Sequence, residues 1–200
     1  MKVFDLSMDV DENTPVFPGD QKQELTQKAF IEKDGWNEKR LSFNSHFSTH
    51  IDAPLHMIDG GKSLSDFPVE YLTGEAICID VHGQKTIESA LEGVKANDIV
   101  FFYTGKTEQP LENLYEDYPV LSRQTAEKLV ETKVKIVGLD SWGPDGEPFS
   151  IHKILLGRNI LIVENLVNLA PLAGKRFECF ILPLKIRGGD GAPCRVIARL

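Results

Sequence analysis

Three of the chain's five histidines, His46, His50 and His56, fall with Asp52 inside eleven consecutive residues, HFSTHIDAPLH. Neutral imidazoles and a carboxylate form a nitrogen and oxygen donor set that suits zinc, manganese or iron(II) better than calcium or magnesium. A lone histidine is commonly a satisfied core or surface residue. An H-x-x-x-H-x-D spacing with a further histidine four residues on is denser in donors than packing requires.

Positioning these donors is the task of the surrounding elements. From Leu41 to Asp52 the sequence alternates, with Leu41, Phe43, Phe47 and Ile51 on one face and Ser42, Asn44, His46, Ser48, His50 and Asp52 on the other. That is the period of a half-buried strand. Side chains on one face lie roughly 6–7 Å apart along a strand, so His46 and His50 meet one ion only if the strand bends or ends. Asp52-Ala53-Pro54 supplies the ending, since proline cannot donate to a ladder. Glu24 to Glu32 and Glu38 to Asp52 flank the turn signal Lys33-Asp34-Gly35, which predicts an antiparallel hairpin with the ligand-bearing strand as one arm. Asp59 and Asp66, in the loop that follows, are candidate partners for imidazole N–H groups.

Further along, Lys2 to Ser7, Ala76 to Val81, Asp98 to Tyr103, Lys135 to Asp140 and Ile160 to Val163 read as strands. Thr86 to Val94 and Arg123 to Thr132 read as helices, the second capped by Ser122. Ser150 is expected to cap another helix, with His152 in its first turn, and Glu164 ends the apolar run ILIV. A charge at the tip of a buried strand must be solvated or paired, and a metal is one way to pair it. The alternation predicts an α/β (α+β) fold, a mixed β core with flanking helices and an antiparallel N-terminal hairpin. Residues 1–200 are expected to form one domain, a length that suffices to bury a core.

The stretch His46 to His56 resembles the H-x-G-T-H-x-D-A-P-x-H signature of the cyclase family of metal-dependent hydrolases, which includes bacterial kynurenine formamidases and isatin hydrolases. Ser48 stands where that signature has glycine, and is expected to narrow the site. Thr14-Pro15-Val16-Phe17-Pro18-Gly19-Asp20 resembles the family's T-P-x-x-P-G-D segment, with Phe17 at the place of a substrate-stacking aromatic. His152-Lys153-Ile154-Leu155-Leu156 and Glu164-Asn165-Leu166-Val167-Asn168-Leu169 resemble H-x-x-L-L and E-N-L-x-N-L, and the tail from Leu182 to Arg195 resembles L-P-L-K … D-G-x-P-x-R. The resemblance implies that His46, His50, Asp52, His152 and Glu164 hold one or two divalent ions, zinc first and manganese second. It implies His56 as general acid/base, Phe17 against an aryl ring, and a dimer or tetramer. The implied activity is hydrolysis of an aryl amide such as N-formylkynurenine to kynurenine and formate. The alternatives are opening or closing a cyclic amide such as isatin on the same scaffold and, more distantly, metal binding without catalysis.

A net charge of −8 and a pI near 5.2 argue against a nucleic-acid surface. No apolar leader or span is visible after Met1, so a cytoplasmic location is expected. Cys78, Cys179 and Cys194 show no C-x-x-C spacing and read as reduced, buried hydrophobes. The absence of G-x-S-x-G speaks against a serine nucleophile.

Overall fold

The computed structural model describes residues 1–200. Its strands in chain order are β1 (Val3–Asp5), β2 (Glu24–Ala29), β3 (Glu38–Ser42), β4 (His50–Asp52), β5 (Thr73–Asp80), β6 (Thr86–Ile87), β7 (Ile99–Tyr103), β8 (Val120–Leu121), β9 (Ile136–Leu139), β10 (Leu161–Glu164), β11 (Arg176–Pro183) and β12 (Gly191–Arg199). The helices are α1 (Ile31–Asp34), α2 (Arg123–Thr132) and α3 (Ser150–Leu156).

The main sheet runs β1-β12-β11-β5-β7-β9-β10-β4, and β4 also pairs with β12, so the sheet closes on itself. Strands β5, β7, β9 and β10 are parallel, while β11, β12 and β4 complete the barrel-like ring with antiparallel pairings. Period-two alternation sorts the side chains of this ring. In β7, Ile99 and Phe101 join the cluster enclosed by strands, with Cys78, Val163, Cys179 and Val196. Val100 and Phe102 point the other way, into a second cluster with Ala126 and Leu129 of α2 and Leu155 and Leu156 of α3. Both phenylalanines are fully buried, each stabilising the fold by about 1.5–3 kcal/mol. The ring therefore has a dry interior and a helix-covered outer face. All three cysteines are free and buried, as expected.

Several sequence expectations change. The run from Leu41 to Asp52 is not one strand: β3 ends at Ser42, and the chain resumes as β4 only at His50. Ser48 between them has φ +58°, a left-handed conformation that interrupts extended backbone. Strands β2 and β3 do form the antiparallel hairpin, with Gly35 at φ +85°. The ligand-bearing β4 is not its arm, because β4 pairs with β10 and β12 in the barrel. Thr86 to Val94 is not a helix. Thr86 and Ile87 pair with β8, and Ser89 Oγ accepts the Leu91 N–H at 3.0 Å, a side-chain bond that competes with helical turns. Ser122 does cap α2, its Oγ accepting the Thr125 N–H at 3.1 Å.

Candidate metal centre

Register places the first donors. In the antiparallel pair β4–β10, His50 lies opposite Glu164, Ile51 opposite Val163 and Asp52 opposite Ile162. Since Ile51 and Val163 belong to the interior cluster, His50, Asp52 and Glu164 share the outer face. Helix α3 crosses that face and adds His152, while His46 reaches in from the segment between β3 and β4. His50, Asp52, His152 and Glu164 are at most 3 % exposed.

His46 Nδ1 is 2.6 Å from Asp52 Oδ1. His50 Nε2 is 3.4 Å from the same oxygen and 3.3 Å from Glu164 Oε2. His152 Nε2 lies 3.1 Å from Glu164 Oε1 and 4.0 Å from Asp52 Oδ2. All five predicted ligand residues therefore meet in one place. Each imidazole turns one nitrogen to the two buried carboxylates and commits the other to an outer acceptor. His46 Nε2 faces Asp190 Oδ2 at 2.9 Å, His152 Nδ1 faces Asp145 Oδ1 at 2.5 Å, and His50 Nδ1–H donates to the Ser48 carbonyl at 2.9 Å. Outer acceptors of this kind fix the ring and its tautomer in metal-binding histidines. No lysine or arginine pairs with Asp52 or Glu164, so a divalent cation is what this donor set fits.

The local charges agree. Burial opposes protonation of His46, but Asp52 and Asp190 outweigh it and raise its pKa to about 10. His152 rises to about 10 against burial, through Asp145, Glu164 and Asp52. His50 is raised as well, by Glu164 and Asp52 against burial. Asp52 is held well below the carboxylate range, since the surrounding imidazoles outweigh its burial. His56 differs: burial, with His46 beside it, outweighs the pull of Asp52 and lowers its pKa below the usual 6.5. Its ring lies over that of His46, with centroids 3.8 Å apart, and its Nδ1 stays 3.9 Å from Asp190.

Asp145 and Asp190 are the residues that sequence reasoning missed. Asp59 is exposed, and Asp66 instead accepts the Ser63 N–H and hydroxyl in a capping box. Asp145 also corrects the capping of α3. Phe149 is the N-cap and the Ser150 side chain makes no cap bond; Asp145 accepts the Ile151 N–H at 2.6 Å. An acid shortly before a helix is a readable signal, whereas Asp190, the acid of the D-G-x-P-x-R stretch, carries no local sign that it faces His46. Ser48 is buried beside His50 and is not among the residues that line the cavity. Two glycines leave the room. A Cβ on Gly191 would sit 2.7 Å from the His46 ring, and one on Gly143 would sit 2.8 Å from Glu164 Oε1.

The centre forms the inner end of a cavity of about 460 Å³ whose walls include His56, Phe17, Tyr115, Trp142 and Phe149. That volume is in the range of small-molecule sites. The Phe17 ring packs against Trp142, with centroids 4.7 Å apart, and against Tyr115 at 5.9 Å.

Comparison with known proteins places these features in a wider set. The family model Cyclase, described as "Putative cyclase", matches residues 4–146. Kynurenine formamidase of Salinibacter ruber is 32 % identical over 211 residues, covering 100 % of this chain and 98 % of its own. A solved structure described as a potential metal-dependent hydrolase with cyclase activity superposes with a TM-score of 0.85 at 26 % identity, covering 98 % of this chain and 96 % of that one. Isatin hydrolase A from Labrenzia aggregata shares the fold, with a TM-score of 0.88 at 23 % identity over 98 % of this chain and 93 % of that one.

Proposed function

The chain belongs to the cyclase family, and from that premise we propose that it is a metal-dependent hydrolase of aryl amides, with N-formylkynurenine as the leading substrate. The observation that carries this is the meeting of five ligand-type side chains and His56 at the inner end of an aromatic-walled cavity.

His46, His50 and Asp52 would hold one ion, and Asp52, His152 and Glu164 the same ion or a second, with zinc first and manganese second. When bound, such an ion polarises a carbonyl oxygen and brings the pKa of water from near 16 to about 7. Phe17 and Trp142 offer the faces against which an aryl ring stacks. His56 moves the proton. Neutral at pH 7 by its lowered pKa, it accepts a proton from water as the water oxygen adds to the amide carbon. It then delivers that proton to the aryl amine nitrogen as the C–N bond breaks. The water oxygen ends on formate and the proton on the amine.

We read residues 1–200 as a single domain because β1 and β12, from opposite ends of the chain, pair with each other, and β4 pairs with β12 to close the barrel. No helix is long and apolar enough to cross a membrane. Three free, buried cysteines fit a reducing cytoplasm. A homodimer or tetramer, with no nucleic-acid or membrane partner, completes the reading.

The test is turnover of N-formylkynurenine, formanilide and isatin by the metal-loaded protein, with and without chelator. Chelator-sensitive release of formate is expected. Turnover of isatin alone moves the activity to ring opening, and turnover of none refutes hydrolysis of this class.

A further inference from the structure

We propose that the outer half of the cavity selects aryl amides whose remote substituent carries an ammonium group over those whose only remote charge is a carboxylate, with Asp20 as the specificity-determining residue. This rests on aryl-amide hydrolysis at the histidine and carboxylate centre.

Asp20 and Phe17 are the two ends of one turn. Pro18 follows Phe17, Gly19 has φ +100°, and the Asp20 N–H donates to the Phe17 carbonyl at 2.9 Å. Proline second and a positive-φ glycine third is the sequence of a type II turn. The turn therefore presents a ring and a carboxylate as one unit, and both line the cavity. Its approach is anchored as well. Gln23 Nε2 donates to the carbonyls of Asp11 and Thr14, each at 2.8 Å, and the Tyr115 hydroxyl donates to the Pro15 carbonyl at 3.3 Å.

The charge balance of the walls sets the preference. No lysine or arginine lines the cavity, and Asp20 makes no ion pair. Its field is felt inside: burial, then Glu164 and Asp20, raise the proton affinity of the Tyr115 phenol. With the reacting amide at the inner end and the aryl ring against Phe17, the remote substituent lies toward Asp20. An ammonium there finds an acceptor, whereas a carboxylate meets a like charge and no wall cation to offset it.

The experiment compares three aryl formamides of matched length: neutral, with a side-chain ammonium, and with a side-chain carboxylate. The readout is kcat/KM at low salt and at about 0.5 M salt, where a Debye length of a few ångströms screens the rim charge. Ammonium should exceed carboxylate by about ten-fold at low salt, the product of one exposed attraction and one exposed like-charge repulsion of about three-fold each, and the ratio should shrink in high salt. Asp20→Asn should lower the ratio several-fold, and D20K should reverse it. Calorimetric binding of the corresponding non-hydrolysable aryl ketones reads the same order without turnover. Hydrolysis of all three formamides with a flat or carboxylate-favouring order, unchanged by D20N, overturns the role of Asp20 and leaves the hydrolase in place. No turnover of any formamide, with ketone binding still ordered by charge, overturns the chemistry and leaves the charge selection.

Discussion

Loading the metal-free protein with zinc should release protons, and their number follows from the site. His46 and His152 have pKa values raised to about 10. At pH 7 both therefore carry a proton on the cluster side, and both must lose it to become ligands. About two protons should leave for each centre filled, and the apparent association constant should rise about 100-fold per pH unit between pH 7 and 9. The lowered His56 adds nothing to this number. The linked stability has the opposite sign in the metal-free protein. A folded-state pKa raised above 6.5 contributes stability that is fully present below pH 6.5 and is lost as pH rises through 10. The gap in Tm between metal-loaded and metal-free protein should therefore widen from pH 6.5 to 9. Calorimetric titration in two buffers of different ionisation heat counts the protons, and melting curves across the same range give the gap. Release of fewer than one proton, with an affinity flat in pH, refutes the assignment of His46 and His152 as ligands.

Three further outcomes are expected. His56→Ala should keep its metal, measured by elemental analysis, and lose about two to four orders of magnitude in kcat; near-normal turnover of the true substrate would remove His56 from the proton path. Gly191→Ala, whose Cβ meets the His46 ring at 2.7 Å and the Ile51 carbonyl at 2.8 Å, should cost about 1–3 kcal/mol in urea unfolding and weaken metal binding, and no change in either would show that the strand shifts freely. Ser48→Gly should be neutral or stabilise by up to about 1 kcal/mol, because it relieves a left-handed serine at φ +58° and removes a buried hydroxyl without a partner, at some cost in chain entropy; a loss of stability well beyond that size would show that the hydroxyl is held.

Much of the site was legible because its residues are of unusual type at tight spacing. His46, His50, Asp52 and His56 stand together in the chain, and His152 and Glu164 lie in motifs that resemble those of a known family. The alternation of apolar strands with helices was likewise readable for β5, β7, β9, α2 and β10. What stayed hidden depends on partners distant in sequence. Nothing local reports that Asp190 faces His46 across 144 positions, or that β4 pairs with β10 and β12 rather than continuing β3. The alternation from Leu41 to Asp52 is genuine as a pattern, yet residues 43–49, the left-handed Ser48 among them, leave the ladder. Thr86 to Val94 has helical spacing, but the pairing of Thr86 and Ile87 with Val120 and Leu121 prevailed.

The break between Ser42 and His50, with the left-handed Ser48 inside it, explains how a short strand can carry a buried charged site. On β4, the central Ile51 faces the dry interior, which forces its neighbours His50 and Asp52 onto the outer face beside Glu164. A one-residue slip against β10 would place both donors inside the ring and Ile51 among the carboxylates, a register that burial energies forbid. His46 need not obey strand geometry, because the residues between Ser42 and His50 are free of the ladder. It therefore reaches Asp52 Oδ1 at 2.6 Å, whereas a continuous strand would set residues six apart about 20 Å from each other. The backbone turn that broke the predicted strand is thus what lets two histidines four residues apart meet the same carboxylate. The carbonyl of that turning residue also orients the second of them, His50.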